Sequence, residues 1–216
     1  RGHDLTRKSN PYIKHGEAPI NFLNKLQRVK YCVNRHVLEV AEEMRLRGRV
    51  IGKFIPIAPA YKPSRPADAD DDAKSNLSWR RSMAEAYNAD RINFKRSVRT
   101  RTQLEAAEKF KDESFYLCWS FDYRGRAYPI PAFLTPQDTD FGKALLVFAD
   151  ESSVTDEAEL WLSFQVATTY GLDKSTLEDR HQWVSENHEL ITKVATDPIR
   201  YLSDWEAVDE PWQFMA

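Results

Sequence analysis

The chain alternates between two kinds of hydrophobic spacing, and most elements can be read from that alternation. Phe22, Leu26, Val29, Val33, Val37, Val40 and Met44 advance by threes and fours, which predicts one long helix beginning near Pro19. Arg45 and Arg47 suit its last turn, and Gly48 supplies the stop. Lys25, Arg28 and Arg35 lie on its polar face and read as solvated side chains. Pro56, Pro59, Pro63 and Pro66 then forbid a helix, and Asp68, Asp70, Asp71 and Asp72 follow. That acidic run reads as an N-terminal flank of the next helix, with metal binding as the alternative. Trp79, Met83, Ala86 and Tyr87 begin a helix, and Leu104, Ala107 and Phe110 belong to a second, with a bend near 93–97. Phe115 to Phe121 is apolar and aromatic, with the length of a buried strand. A second apolar run covers Ala144 to Ala149, and Pro129-Ile130-Pro131 between them excludes a central strand.

Farther on, Thr155 caps a helix that ends at Gly171, with Leu160, Phe164 and Ala167 inward. Ser175 to Glu178 reads as a capping box opening a helix through Leu177, Val184 and Ile191, which stops before Asp197-Pro198. Trp205, Trp212 and Phe214 indicate further packed helix. His181 and His188, with Glu178 and Glu189 near them, read as surface or partly buried histidines, with a metal site as the alternative. The fold class is therefore mainly α with a small β component (α+β).

Composition narrows the class further. With 42% hydrophobic and 30% charged residues the chain can bury a core. No apolar run approaches the ~18 residues of a membrane span, so no membrane partner is expected. Cys32 and Cys118 read as reduced core residues. The net charge of −2 conceals a gradient: residues 1–53 carry 12 Lys/Arg against 5 Asp/Glu, and residues 151–216 carry 4 against 14. A basic first part that includes Arg7, Lys8 and Lys14 is expected of a face that meets nucleic acid. The alternative is that the acidic end neutralises the basic part within the fold.

The candidate chemistry is concentrated where the aromatic strand ends, in Asp122-Tyr123-Arg124-Gly125-Arg126. Glycine allows a sharp turn or close approach, and a fixed arginine fork can take a phosphate through two parallel hydrogen bonds. A turn in which Asp122 merely pairs with one arginine is the plain alternative. Arg91, Lys95, Arg96, Arg99 and Arg101 place five positive charges within eleven residues and call for a counter-charge. Either a phosphate backbone or the acidic end could supply it.

Taken together, Asp122-x-x-Gly125-Arg126, Ala127-Tyr128, Pro136-Gln137 and Asp140-Phe141-Gly142-Lys143-Ala144-Leu145-Leu146 resemble the single-subunit, bacteriophage-type RNA polymerases, which include mitochondrial enzymes. Upstream, residues 87–110 fit the same pattern. Downstream, Glu186-Asn187-His188-Glu189 and Asp209-Glu210-Pro211-Trp212 recur at the right intervals. The likeness extends from about Phe22 to Ala216. One departure is an interval from Tyr128 to Pro136 one residue longer than in phage enzymes, and Tyr128-Pro129-x-Pro131 looks more like the mitochondrial branch. The roles of Thr135, Gln137 and Asp138 stay open for that reason.

The resemblance implies a middle portion of a right-hand polymerase. Residues 1–53 would end the N-terminal domain and 54–75 would form a connector. Residues 76–112 would be thumb, 113–150 the first palm strands and 151–216 a helical palm insertion. It implies a DNA-directed RNA polymerase, a nucleotidyltransferase acting on a DNA template, an RNA–DNA hybrid and nucleoside triphosphates. Arg126, Gly125, Arg124, Tyr128, Lys143 and the five helix cations would bind nucleic acid, with Asp122 supporting the motif. The catalytic aspartates and the Mg they hold would lie past Ala216, in the remainder of the polymerase chain. The chain alone is thus expected to extend no primer. A phage-infected bacterium's cytoplasm is the implied location, with a mitochondrion as the alternative. Outside this reading stand a non-catalytic nucleic-acid-binding module, or half of a split polymerase, and a helical interaction protein whose basic and acidic halves satisfy each other.

Overall fold

The computed structural model describes residues 16–57, 59–68 and 72–216. Arg7, Lys8, Lys14, Asp70 and Asp71 lie outside them.

The first apolar stripe divides into three elements where one long helix was expected. Helix α1 spans Glu17–Leu26, strand β1 Lys30–Val33 and helix α2 Arg35–Leu46. Threes-and-fours spacing also accommodates the period of two that buries Tyr31 and Val33 while their neighbours stay partly exposed. β1 gains antiparallel partners on both sides, which outweighs helix propagation through it. Asn34 then restarts the helix by accepting the Val37 amide. The turn after α2 ends on Gly48 at φ 64°, as its position suggested.

Helix α3 is continuous from Ala73 to Phe110, without the break expected near 93–97. It is about 57 Å long. Asp72 caps it by accepting the Lys74 amide. Apart from Ala86, its buried residues lie in the second half: Ser97, Thr100, Gln103, Leu104 and Ala107. The proline-rich connector runs back along it. The Ile55 amide donates to Thr100, the Ala60 amide to Asp90, the Trp79 indole to Pro63 and the Ser75 hydroxyl to Asp68.

The expected strand over 115–121 is broken in two. β2, Phe115–Tyr116, joins a sheet of order β2-β1-β5, in which β5 is Leu146–Phe148. β3, Trp119–Phe121, forms a separate hairpin with β4, Ala127–Pro129. The chain leaves one sheet at Leu117, which is buried, and enters the other at Cys118, whose carbonyl accepts the Ile130 amide. Cys118 is therefore exposed rather than in the core, and Cys32 is half-buried; both are free thiols.

Helix α4, Asp140–Ala144, leads into β5, and the rest is helical. α5, Asp156–Tyr170, is capped by Thr155 and ends at Gly171 with φ 132°. Ala167 is buried on it, but Leu160, expected inward, is exposed. One further helix was expected before Asp197. It breaks at Asn187 into α6, Leu177–Glu186, and α7, His188–Thr196. The capping box there pairs Thr176 with Asp179, one residue later than expected. α8, Leu202–Trp205, and α9, Pro211–Met215, complete the chain. Their tryptophans close the core: Trp212 lies 4.8 Å from the rings of Phe54 and Phe141 and 5.5 Å from Trp205. The class is mainly α with small antiparallel sheets, as expected.

Candidate nucleic-acid interface

The tip of the β3–β4 hairpin is Asp122 to Arg126. Backbone bonds close it, from the Gly125 amide to the Asp122 carbonyl and from the Asp122 amide to the Arg126 carbonyl. Gly125 has φ 77°, a conformation that L side chains seldom adopt, and an added Cβ would meet nothing within 4 Å. Glycine is therefore required here by the backbone, and the space over it is open to a ligand.

The Asp122 carboxylate organises the tip. One oxygen accepts the Arg124 amide at 2.8 Å and the Arg126 amide at 2.9 Å, and the other takes the Arg124 guanidinium at 3.1 Å. Asp122 thus holds the Arg124 side chain but only the backbone of Arg126. The Arg126 guanidinium is exposed and has no ion pair or hydrogen bond among the described residues. Tyr123 stands 94% exposed beside it, and Tyr128, on β4, is half-exposed.

The bond from the Arg126 amide, and after it those from Arg124, keeps the Asp122 carboxyl below its ordinary range. A lowered folded-state value stabilises the turn above the usual carboxylate pKa of about 3.9, and that contribution disappears as pH falls through the lower value. The Arg126 amide resonance should follow this titration with a midpoint below about 3.9. A midpoint at or above that value would show that the carboxylate does not hold the turn.

Two connections join this hairpin to the long helix. Gln137 donates from its side chain to the Ala127 carbonyl, tying the loop after β4 to the hairpin. Arg99 then reaches Asp138 at 2.5 Å, and the Gln103 amide group reaches the Thr139 hydroxyl at 3.0 Å. The Asp138 side chain is fully buried and Thr135 is buried. These two positions, whose roles the sequence left open, are therefore structural.

The five helix cations separate into two groups. Arg99 is paired with Asp138, and Arg101 with Glu105 at 3.6 Å. Arg91, Lys95 and Arg96 are exposed; Arg91 touches only the Asn88 side chain, and the three have no ion pair among the described residues. The counter-charges present come from the middle of the chain, not from its acidic end. Between residues 16–53 and 151–216 the ion pair among the described residues is Arg49–Glu206. Lys143, half-exposed on α4, lies 3.7 Å from Glu210. Sequence reasoning missed the Arg99–Asp138 link, because nothing in a linear pattern signals a pairing across 39 positions.

Among the described residues there is no group of three or more His, Cys, Asp or Glu placed to hold a metal ion. No helix among them is long and apolar enough to cross a membrane.

An exposed arginine on a glycine turn, beside a long basic helix, is an arrangement suited to phosphate backbones. Comparison with known proteins agrees with the motifs: the chain belongs to the single-subunit DNA-directed RNA polymerases, of which it is a portion. The model of the family described as DNA-dependent RNA polymerase matches residues 153–216. T7 RNA polymerase of Escherichia phage T7 is 30% identical over 196 residues, covering 90% of this chain and 22% of the phage enzyme. The mitochondrial DNA-directed RNA polymerase of Neurospora crassa is 28% identical over 195 residues, again 90% of this chain but 14% of the relative. DNA-directed RNA polymerase 1, mitochondrial, of Arabidopsis thaliana is 28% identical over 197 residues, 90% of this chain and 20% of the relative. The chain thus spans about a fifth or less of the length of these relatives.

Proposed function

We propose that this chain is the part of a single-subunit DNA-directed RNA polymerase that grips the template strand and the RNA–DNA hybrid. The whole protein would join nucleoside triphosphates by template-dependent nucleotidyl transfer. The observation that carries this reading is the Arg126 guanidinium, exposed and without a counter-charge on a turn that Asp122 and Gly125 hold open. In the reading, Arg126 contacts a phosphate, Gly125 permits close approach, and Arg124 and Tyr128 flank the contact. Lys143 adds a second cation. Arg91, Lys95 and Arg96, on the long helix assigned to the thumb, retain the hybrid. Arg99, Arg101 and Lys143 contribute less, since each already faces a carboxylate.

The described residues do not fit a catalytic metal site. By the family resemblance, the Mg of the polymerase reaction would be held by residues outside this chain. The same fact leaves a second reading, a nucleic-acid-binding module or half of a split polymerase, which differs from the first only in what accompanies the chain. The relatives include phage and mitochondrial enzymes, so the setting would be a phage-infected bacterium or, as the alternative, a mitochondrion.

The test is Arg126→Ala, assayed by affinity for an RNA–DNA hybrid. Loss of one charge-assisted contact should cost about 1.5–3 kcal/mol at an unchanged melting temperature. Unchanged binding with a lowered melting temperature would make the arginine a structural part of the turn.

A further inference from the structure

A second cationic surface lies away from the hairpin tip, along β5 at the edge of its sheet. Here a cleft of about 450 Å³ is lined by Lys25, Arg28, Lys30, Phe148 and Asp150. The three cations come from the end of α1, the turn after it and the first residue of β1. None of them has an ion pair among the described residues, and Asp150 is the carboxylate that faces them. Phe148 is the wall that this cleft shares with a second one of about 230 Å³, which Lys143, Pro136 and Gln213 also line. Cations thus stand on both sides of one aromatic ring, unpaired on the first side and, on the second, Lys143 at 3.7 Å from Glu210.

That ring is set as a platform. It leans on the buried Tyr31 ring with centroids 5.5 Å apart and planes 29° apart, yet is 67% exposed. β5 pairs with β1 on one side, with Tyr31 opposite Phe148, so the backbone beneath the ring is fixed. An exposed aromatic face supported from behind and flanked by cations matches one chemistry best: an unpaired base stacks on the ring while its phosphates lie against the cations. Duplex bases have both faces covered and cannot use it. A purely anionic ligand would leave the ring unexplained.

We propose that a single strand of nucleic acid, either RNA or unpaired DNA, runs along the β5 edge from Lys143 over Phe148 to Lys25, Arg28 and Lys30. The path rests on the nucleic-acid reading above and shares Lys143 with it, but Phe148, Lys25, Arg28 and Lys30 have no part in the Arg126 contact, so the two can fail separately.

Labelled oligouridine and oligothymidine strands of about twelve nucleotides, a DNA duplex and an RNA–DNA hybrid are titrated against the full chain by fluorescence anisotropy. Phe148→Ala should weaken single-strand binding about tenfold and leave hybrid binding unchanged, and Phe148→Trp should restore the loss. Lys25→Ala with Arg28→Ala should reduce the log–log salt slope for single strands by about 1.4, two contacts at about 0.7 each. Arg126→Ala should show the opposite selectivity, lowering hybrid affinity alone. A preference for oligouridine would assign the path to RNA, a reversed preference would assign it to unpaired DNA, and equal affinities would mean that it takes either strand. The path is overturned if the duplex binds as tightly as the single strands, if Phe148→Ala changes nothing, or if hybrid and single-strand affinities fall together.

Discussion

Gly142→Ala is expected to destabilise the chain by about 3 kcal/mol, a fall in melting temperature of roughly 10 °C at this chain length. Gly142 is helical and its backbone is unstrained, so the reason is space. A Cβ there would lie 2.4 Å from both Cγ and Oδ2 of Asp138 and 2.7 Å from its Cβ. Asp138 has nowhere to go: its side chain is fully buried, Oδ1 takes the Arg99 guanidinium and the Thr139 amide, and Oδ2 has no partner in the described structure. Moving it would strip the Arg99 link from the long helix and leave a charge buried without its counter-ion, the more costly part of breaking such a pair. Half-exposed Arg99 can find water, which keeps the estimate below that of a wholly buried pair. Thermal unfolding of the variant decides the point. A melting temperature within about 2 °C of the parent chain would mean that Asp138 yields freely and does not fasten helix to loop.

Trp212→Ala should cost about 4 kcal/mol, the larger of the two effects. Trp212 is fully buried, and its ring meets Phe54 from the connector, Phe141 from α4 and Trp205 from α8. Its indole N–H donates to the Ile51 carbonyl at 3.4 Å. Its backbone amide donates to Asp140, which also accepts the Gln213 backbone amide and side chain. Burial pushes the Asp140 pKa up, outweighing the lowering by these donors. One side chain therefore joins the end of the chain to residues 51–54 and to the segment that follows the hairpin. Denaturant unfolding should show the midpoint falling with an unchanged slope. A loss below about 1 kcal/mol would mean that the aromatic cluster repacks around the cavity, and that the acidic end is a separable appendage.

Local signals with a defined stereochemistry were legible in the sequence. Thr155 and Gly171 bound α5 where a cap and a stop were expected, and Gly125 takes the positive φ its turn needs. The decisions that went wrong were those in which a distant partner competes with a local pattern. Val29 and Val33 fit a helical stripe equally well, and only pairing with β2 and β5 makes residues 30–33 a strand. The aromatic run from Phe115 was long enough for one strand, but two different sheets claim its halves. The apolar pattern, irregular through Phe94 and Val98, suggested a bend among the crowded charges near residue 95. Arg99 and Arg101 find carboxylates and the other three point to solvent, so the helix continues.

The candidate site was legible to a similar extent. The Asp122-x-x-Gly125-Arg126 turn stood out by composition, whereas its division of labour did not: Asp122 restrains the Arg124 side chain and leaves that of Arg126 free. Phe148 carries no motif at all. Its exposure follows from β5 lying at a sheet edge, which is a property of topology.

Affinity for an RNA–DNA hybrid measured across a range of salt concentrations tests the central claim most directly. Four unpaired cations, Arg91, Lys95, Arg96 and Arg126, predict binding that weakens steeply with salt, with a log–log slope of about −3 to −4 if each meets a phosphate. Absence of binding at the lowest salt, or an affinity indifferent to salt, would contradict the account and leave the basic surface without a nucleic-acid partner.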